Sequence, residues 1–141
     1  LETAGYRQYE ISNFARPGHE GRHNLLYWNC SDYWGVGCAA HSCIDNVRKF
    51  WPNDAQGFIA GTVAEQIEGD CTAEDYLLMQ LRLTSGLHFA EYARRGGHFT
   101  PGQLAFMRQC AGHGYAVMDE AHFSLTPAGM VVQNAILTEL M

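Results

Sequence analysis

The sequence predicts an α/β segment followed by a mainly α, winged-helix-like domain, on the strength of three observations. Up to about Arg48 the chain is rich in glycine, aromatic and histidine residues without helical periodicity, as expected of strand ends and their loops. Beyond Cys71 it becomes a series of capped helices. Near the end, extended runs at Tyr115 to Met118 and His122 to Leu125 flank Asp119-Glu120-Ala121 and read as a hairpin. The expected organisation is an α/β segment at 1–52, a connecting helix and linker at 53–71, and the winged-helix-like domain at 72–141.

Gly5 to Tyr9 reads as the approach to a strand. Asn53 and Asp54 are suited to start a helix reaching to about Gln66, with Phe58, Ile59 and Val63 on its apolar side and Gly69-Asp70 as its exit. Thr72-Ala73-Glu74-Asp75 has the form of a capping box, in which Thr72 accepts from a first-turn amide and Asp75 reaches back. The helix behind it places Leu77, Leu78 and Leu81 on one stripe, which should pack. A shorter helix is expected from about Phe89 to Arg95, ending at Gly96-Gly97. Thr100-Pro101 is a cap followed by proline at the first helical position, where a missing amide costs least. Leu104, Met107 and Ala111 recur behind it at helical spacing. Thr126-Pro127 repeats that signal for one last helix, with Val132, Ile136 and Leu140 in line.

Composition bounds the function. With 141 residues and 47% hydrophobic content the chain can hold one core, or one small domain and part of another. Its apolar runs fall far short of the roughly 20 residues that span a bilayer. An odd set of five cysteines without a framework pattern fits a reducing compartment, hence the cytoplasm. Nine basic residues against fifteen acidic ones give a net charge of −6, which disfavours nucleic-acid binding. A winged-helix interaction module remains the rival from another class. It would use Arg82, Arg94, Arg95 and Arg108 with His88 and His98 as a basic surface, but Glu65, Glu68, Asp70, Glu74, Asp75 and Glu91 lie among or just before them.

Three blocks follow one another closely: Tyr9-Glu10-Ile11-Ser12-Asn13-Phe14-Ala15, His23-Asn24-Leu25-Leu26-Tyr27-Trp28, and Gly35-Val36-Gly37-Cys38-Ala39-Ala40-His41-Ser42. Together they resemble the radical S-adenosylmethionine (SAM) proteins related to oxygen-independent coproporphyrinogen III oxidase. The His-Asn-x-x-Tyr-Trp block points to that family's heme-chaperone branch. The resemblance covers Gly5 to Met141 and implies that the chain is a C-terminal fragment of a longer protein. Residues 1–52 would then be the last strands of an incomplete parallel α/β barrel. The family's cluster motif, Cys-x3-Cys-x2-Cys, is absent from the cysteines at 30, 38, 43, 71 and 110. The 4Fe-4S cluster and SAM of the parent would therefore be held before Leu1, and the chain alone is expected to be inactive, with no catalytic residue of its own. The partners implied are heme or porphyrin and the hemoproteins that receive it. The other activity implied is the oxidase's own, a SAM-derived radical driving oxidative decarboxylation.

The site residues follow from these blocks. A neutral His23 can donate a nitrogen lone pair to heme iron, so His23 is the candidate metal ligand. Tyr27 and Trp28 offer aromatic surface to a flat macrocycle, and on one helical turn His23 and Tyr27 would face the same way. Asn24 would fix the loop or orient the imidazole. Without the resemblance, a histidine beside aromatics is more often structural. Glu10 and Ser12, as alternate residues, would share a face. Glu10 then either meets SAM or substrate, or is solvated or satisfies nearby amides. Gly35 and Gly37 permit close backbone approach by a ligand or tight strand packing. The resemblance puts Gly35, Gly37 and His41 at the cofactor end of the barrel, while Ala39 replaces the family's third glycine. Cys30, Cys38, His41 and Cys43 lack the paired spacing of a zinc site, and the three cysteines read as buried, unreactive thiols. A barrel strand parted from its neighbours should leave residues before Asn53 disordered, rearranged or self-associated.

Overall fold

The computed structural model describes all 141 residues. A short 3-10 turn at Glu2–Ala4 leads into a minimal antiparallel pair, β1 (Arg7–Gln8) and β2 (Phe14–Ala15). Helix α1 (Arg22–Trp28) follows. Then β3 (His41–Ile44) and β4 (Val47–Phe50) form a hairpin whose turn residues, Asp45 and Asn46, both take positive φ (50° and 66°). That two-residue turn matches the twist of the strands it joins, and Asp and Asn tolerate it better than most residues. After helix α2 (Ala55–Ala60), β5 (Gln66–Asp70) returns to pair with β4, giving the antiparallel order β3-β4-β5. Every pairing in this segment is antiparallel.

The expected helix from Asn53 to Gln66 is thus shorter, and its predicted exit is a strand. Asp54 caps it as foreseen, its side chain accepting from the Gly57 amide at 2.8 Å. The helix then closes at Gly61, and Ile59, assigned to the apolar side, is 85% exposed. Residues 66–70 gain a full strand partner instead, because Glu68 and Glu65 find Arg48 and Lys49 across the ladder at 3.7 and 3.9 Å. Ladder hydrogen bonds with β4 outweigh continuation of a helix that has two glycines in seven residues.

The second part runs α3 (Ala73–Gln80), β6 (Leu87–His88), α4 (Phe89–Arg94), α5 (Pro101–Gly112), β7 (Ala116–Met118), β8 (His122–Leu125), α6 (Pro127–Val131) and α7 (Gln133–Leu140). The capping boxes at Thr72/Asp75 and Thr100/Gln103 are both formed. Leu77 and Leu81 are fully buried, as the stripe on α3 requires, and Met107 is buried on α5. The hairpin β7–β8 recruits β6 into the sheet order β6-β8-β7. The last helix is broken in two: Val132 sits at φ −109° between α6 and α7 and is partly exposed, while Ile136 and Leu140 are buried. Thr126 ties α6 to the hairpin through the Gly114 and Tyr115 carbonyls, so α7 must turn to reach α5, where Gln103 donates to the Leu140 carbonyl.

The two parts lie against each other along a seam of directional contacts. Glu10 forms a bridge with Leu83, and the Thr84 amide donates to the Tyr9 carbonyl. Gln80 is buried and donates to the Trp28 carbonyl and to Asn29 Oδ1 at 2.8 and 3.2 Å. The Arg48 guanidinium meets Asp75 at 2.9 Å, and Arg95 meets Asn46 at 3.1 Å. No helix is long and apolar enough to cross a membrane.

Candidate functional site

Helix α1 carries the His-Asn-x-x-Tyr-Trp block and sorts it by the 100° step of a helix. His23 and Tyr27, four residues apart, share a face. The Tyr27 hydroxyl is 2.8 Å from His23 Nε2, and the two rings meet edge to face at 4.8 Å. Tyr27 in turn stands against Tyr33 at 4.4 Å, and Tyr33 bridges to Cys43 on β3. Tyr27 is the hydrogen-bond partner of the imidazole, and of the two roles expected of Asn24, fixing the loop or orienting the ring, no hydrogen bond to His23 supplies the second. Trp28 turns away toward the second part of the chain. Its ring lies under the Arg82 guanidinium at 4.4 Å, and its indole N–H is buried without a partner. His23 and Tyr27 therefore form one unit, with Asn24 half-buried beside them and Trp28 serving the seam.

The Gly35–Ser42 block is the entry to β3. A side chain at Gly35 would collide with the His41 carbonyl, so only glycine lets these strands approach, and the Gly35 amide donates to Ser42 Oγ at 3.1 Å. Gly37 takes φ +113°, a conformation that side chains rarely adopt. Tight packing, the plainer of the two sequence readings for Gly35, is what the geometry contains. Ala39, where the family pattern has glycine, is held at φ +59° in the left-handed region. His41 is exposed, stacks on Phe50 and lies 3.6 Å from Glu68.

Glu10 is completely buried at the seam. One carboxylate oxygen accepts from the Ser12 amide at 3.0 Å, and the other has no partner. This arrangement contains the amide-satisfying role and leaves one acceptor orphaned, so the solvated alternative is excluded.

The thiols of Cys30, Cys43 and Cys71 converge on a small pocket of about 60 Å³ shared with Tyr27, Tyr33 and Met79. Sequence spacing did not reveal this cluster, since three separate elements bring it together. Burial, then the neighbouring Cys71 thiol, pushes Cys30 up to about 12, and burial also raises Cys43. No group of three His, Cys, Asp or Glu side chains is arranged to hold a metal ion. These cysteines therefore do not fit an iron–sulfur cluster.

No family model matches the chain. It is 38% identical over 99 residues to the heme chaperone HemW of Mycobacterium tuberculosis, covering 64% of this chain and 25% of that protein. With the HemW of Bacillus subtilis it shares 29% identity over 146 residues, 96% of this chain and 38% of the relative. The chain thus spans only 25% and 38% of the length of these two relatives. Among solved structures, the Escherichia coli coproporphyrinogen III oxidase HemN, a radical SAM enzyme, superposes with a TM-score of 0.65 over 99% of this chain and 38% of that one. At 19% identity that likeness shows the fold. In fold, then, the chain is like the part of that radical SAM enzyme it superposes on. In sequence it is similar to the HemW heme chaperones, and the chain is HemW-like.

Proposed function

We propose that the chain is the part of a HemW-like heme chaperone that presents His23 to heme iron, in a protein that passes heme to recipient hemoproteins. The observation carrying this reading is the exposed His23 imidazole held at Nε2 by Tyr27, in a chain whose relatives are named heme chaperones. Nε2 is a free lone pair once the hydroxyl swings aside, and the Tyr27 and Tyr33 rings supply apolar surface beside it. Asn24 and Trp28 complete the motif, Trp28 by fixing the C-terminal end of α1 against Arg82.

The same reading assigns 1–52 to the end of the barrel, 53–71 to the connection and 72–141 to a winged-helix-like domain in a cytoplasmic protein. The order helix, strand, two helices, two strands from α3 to β8 supports the last of these domains. Glu10, Gly35, Gly37 and His41 would border the SAM and cluster end of the whole protein. Exposed Trp34 and Val36 support self-association of the first segment.

Heme titration of the chain and of His23→Ala, followed by visible absorption, tests the proposal. A saturable Soret shift that weakens at least tenfold in the variant is expected. An equal shift in both proteins would remove His23 as ligand. No shift in a sample shown to be folded would mean either that the site needs the rest of the barrel or that the oxidase is the better reading, and the same titration on the full-length protein separates the two.

A further inference from the structure

The mechanism proposed above makes no use of the thiols. Cys30 stands just past α1 with its backbone at φ +47°, and its amide donates to the Tyr27 carbonyl at 3.0 Å. Cys71 immediately precedes Thr72, the cap of α3, across the seam. Its backbone is fixed on both sides by Asn46: the Cys71 amide donates to the Asn46 carbonyl at 2.8 Å, and Asn46 Nδ2 donates to the Cys71 carbonyl at 2.9 Å.

Both cysteines line the same two spaces. One is a polar cleft of about 490 Å³, open to solvent and walled by Ser31, Asp32, Asn46, Arg94 and Arg95. The other is the small apolar pocket behind. The sulfurs therefore sit together in the partition between solvent and interior. Cys43 lines the inner pocket alone, Cys38 is engaged with Pro52 and Asn53, and Cys110 lies in the core of the second part. Only Cys30 and Cys71 offer a paired dithiol to a reagent arriving through the cleft.

We propose that Cys30 and Cys71 are a redox modification site: a low-molecular-weight disulfide oxidises them to an intramolecular bridge that staples the end of α1 to the start of α3. Cys30, the more accessible of the two, attacks one sulfur of the reagent and expels its first thiol. The Cys71 sulfur then attacks Cys30 and releases the second thiol, closing the Cys30–Cys71 bond. Two protein thiols give up two electrons and two protons, and the reagent disulfide takes them to become two thiols. Because the Cys30 thiol is held protonated by burial and by its neighbour, the exchange is slow at neutral pH and accelerates about tenfold per pH unit between about 7 and 9.

The test exposes the 141-residue chain to oxidised glutathione, quenches it with acid, and combines thiol counting with peptide mapping. The expected result is loss of two of the five free thiols and one cross-linked peptide joining Cys30 to Cys71. Cys43→Ser should keep the bridge, and Cys71→Ser should stop at a glutathione adduct on Cys30. A bridge through Cys43, an adduct on Cys30 that never resolves in the unmodified chain, or five free thiols in a folded sample at pH 9 would overturn the proposal. So would an unchanged preference for the Cys30–Cys71 pair over other pairings in guanidinium, since the fold would then not be what selects the pair.

Discussion

Between Tyr76 and Leu140 fourteen buried residues form one apolar cluster, whereas before Cys71 the buried side chains are Ala15, Cys43, Glu10 and Ser42, spread over separate elements. The second part is closed by area removed from water, which is non-directional and sums over many contacts. The first is held by strand ladders, turn geometry and contacts to the second. The part with the core supplies stability, and the part that lacks one supplies exposed chemistry: His23, Tyr27 and His41 all lie before residue 71.

The largest test of this contrast is Leu77→Ala, which empties a fully buried position in the cluster. It should cost about 3 kcal/mol, read as a lower midpoint in chemical denaturation monitored across the whole chain. If β3–β5 kept its signal at the new midpoint, the first part would be holding itself.

The joint between the parts gives the next effect. Burial works against the Asp75 carboxylate, but hydrogen bonds from the Thr72 backbone, Arg48 and the Thr72 hydroxyl together hold its pKa below the ordinary value. The unfolded chain therefore binds its proton first as pH falls. The stabilisation is complete above the usual carboxylate range and is lost as pH drops through the lower folded value. Asp75→Asn should lower stability by about 1 kcal/mol at pH 7 and flatten the melting temperature between pH 5 and 3. An unchanged slope would show that the joint contributes no pH dependence.

The smallest effect has the opposite sign. Ala39→Gly relieves a left-handed residue in the entry to β3 and should stabilise the chain by about 1 kcal/mol or less, seen as a modest rise in melting temperature. A fall would mean that chain entropy dominates there.

These contrasts match what the sequence could and could not convey. The caps at Thr72, Thr100 and Thr126 and the stripe on α3 were readable because helix signals are local: a hydroxyl with an acid three residues on at Thr72, a threonine followed at once by proline at the other two, and leucines at fixed spacing. The strand at 66–70 was not, since its partner β4 lies across an intervening helix and only tertiary pairing makes Gln66-Ile67-Glu68 extended. The pairing of His23 with Tyr27 followed from four-residue spacing. The rotation of Trp28 onto Arg82 did not, because nothing near Trp28 in sequence names a residue 54 positions away. The thiol cluster was hidden for the same reason.

The seam itself has a thermodynamic signature. Gln80 on the Trp28 carbonyl, Thr84 on Tyr9 and Arg48 on Asp75 are point contacts that cover little apolar surface. Parting the two segments along it would break those contacts and uncover Ile11, Cys30 and the Trp28 ring where they lie against the second part, while leaving the fourteen-residue cluster intact. Such an opening exposes less surface than global unfolding, so its denaturant slope and heat-capacity change are the smaller ones. Amide exchange along α1 would then report an opening with a shallower denaturant dependence than the global transition of the core.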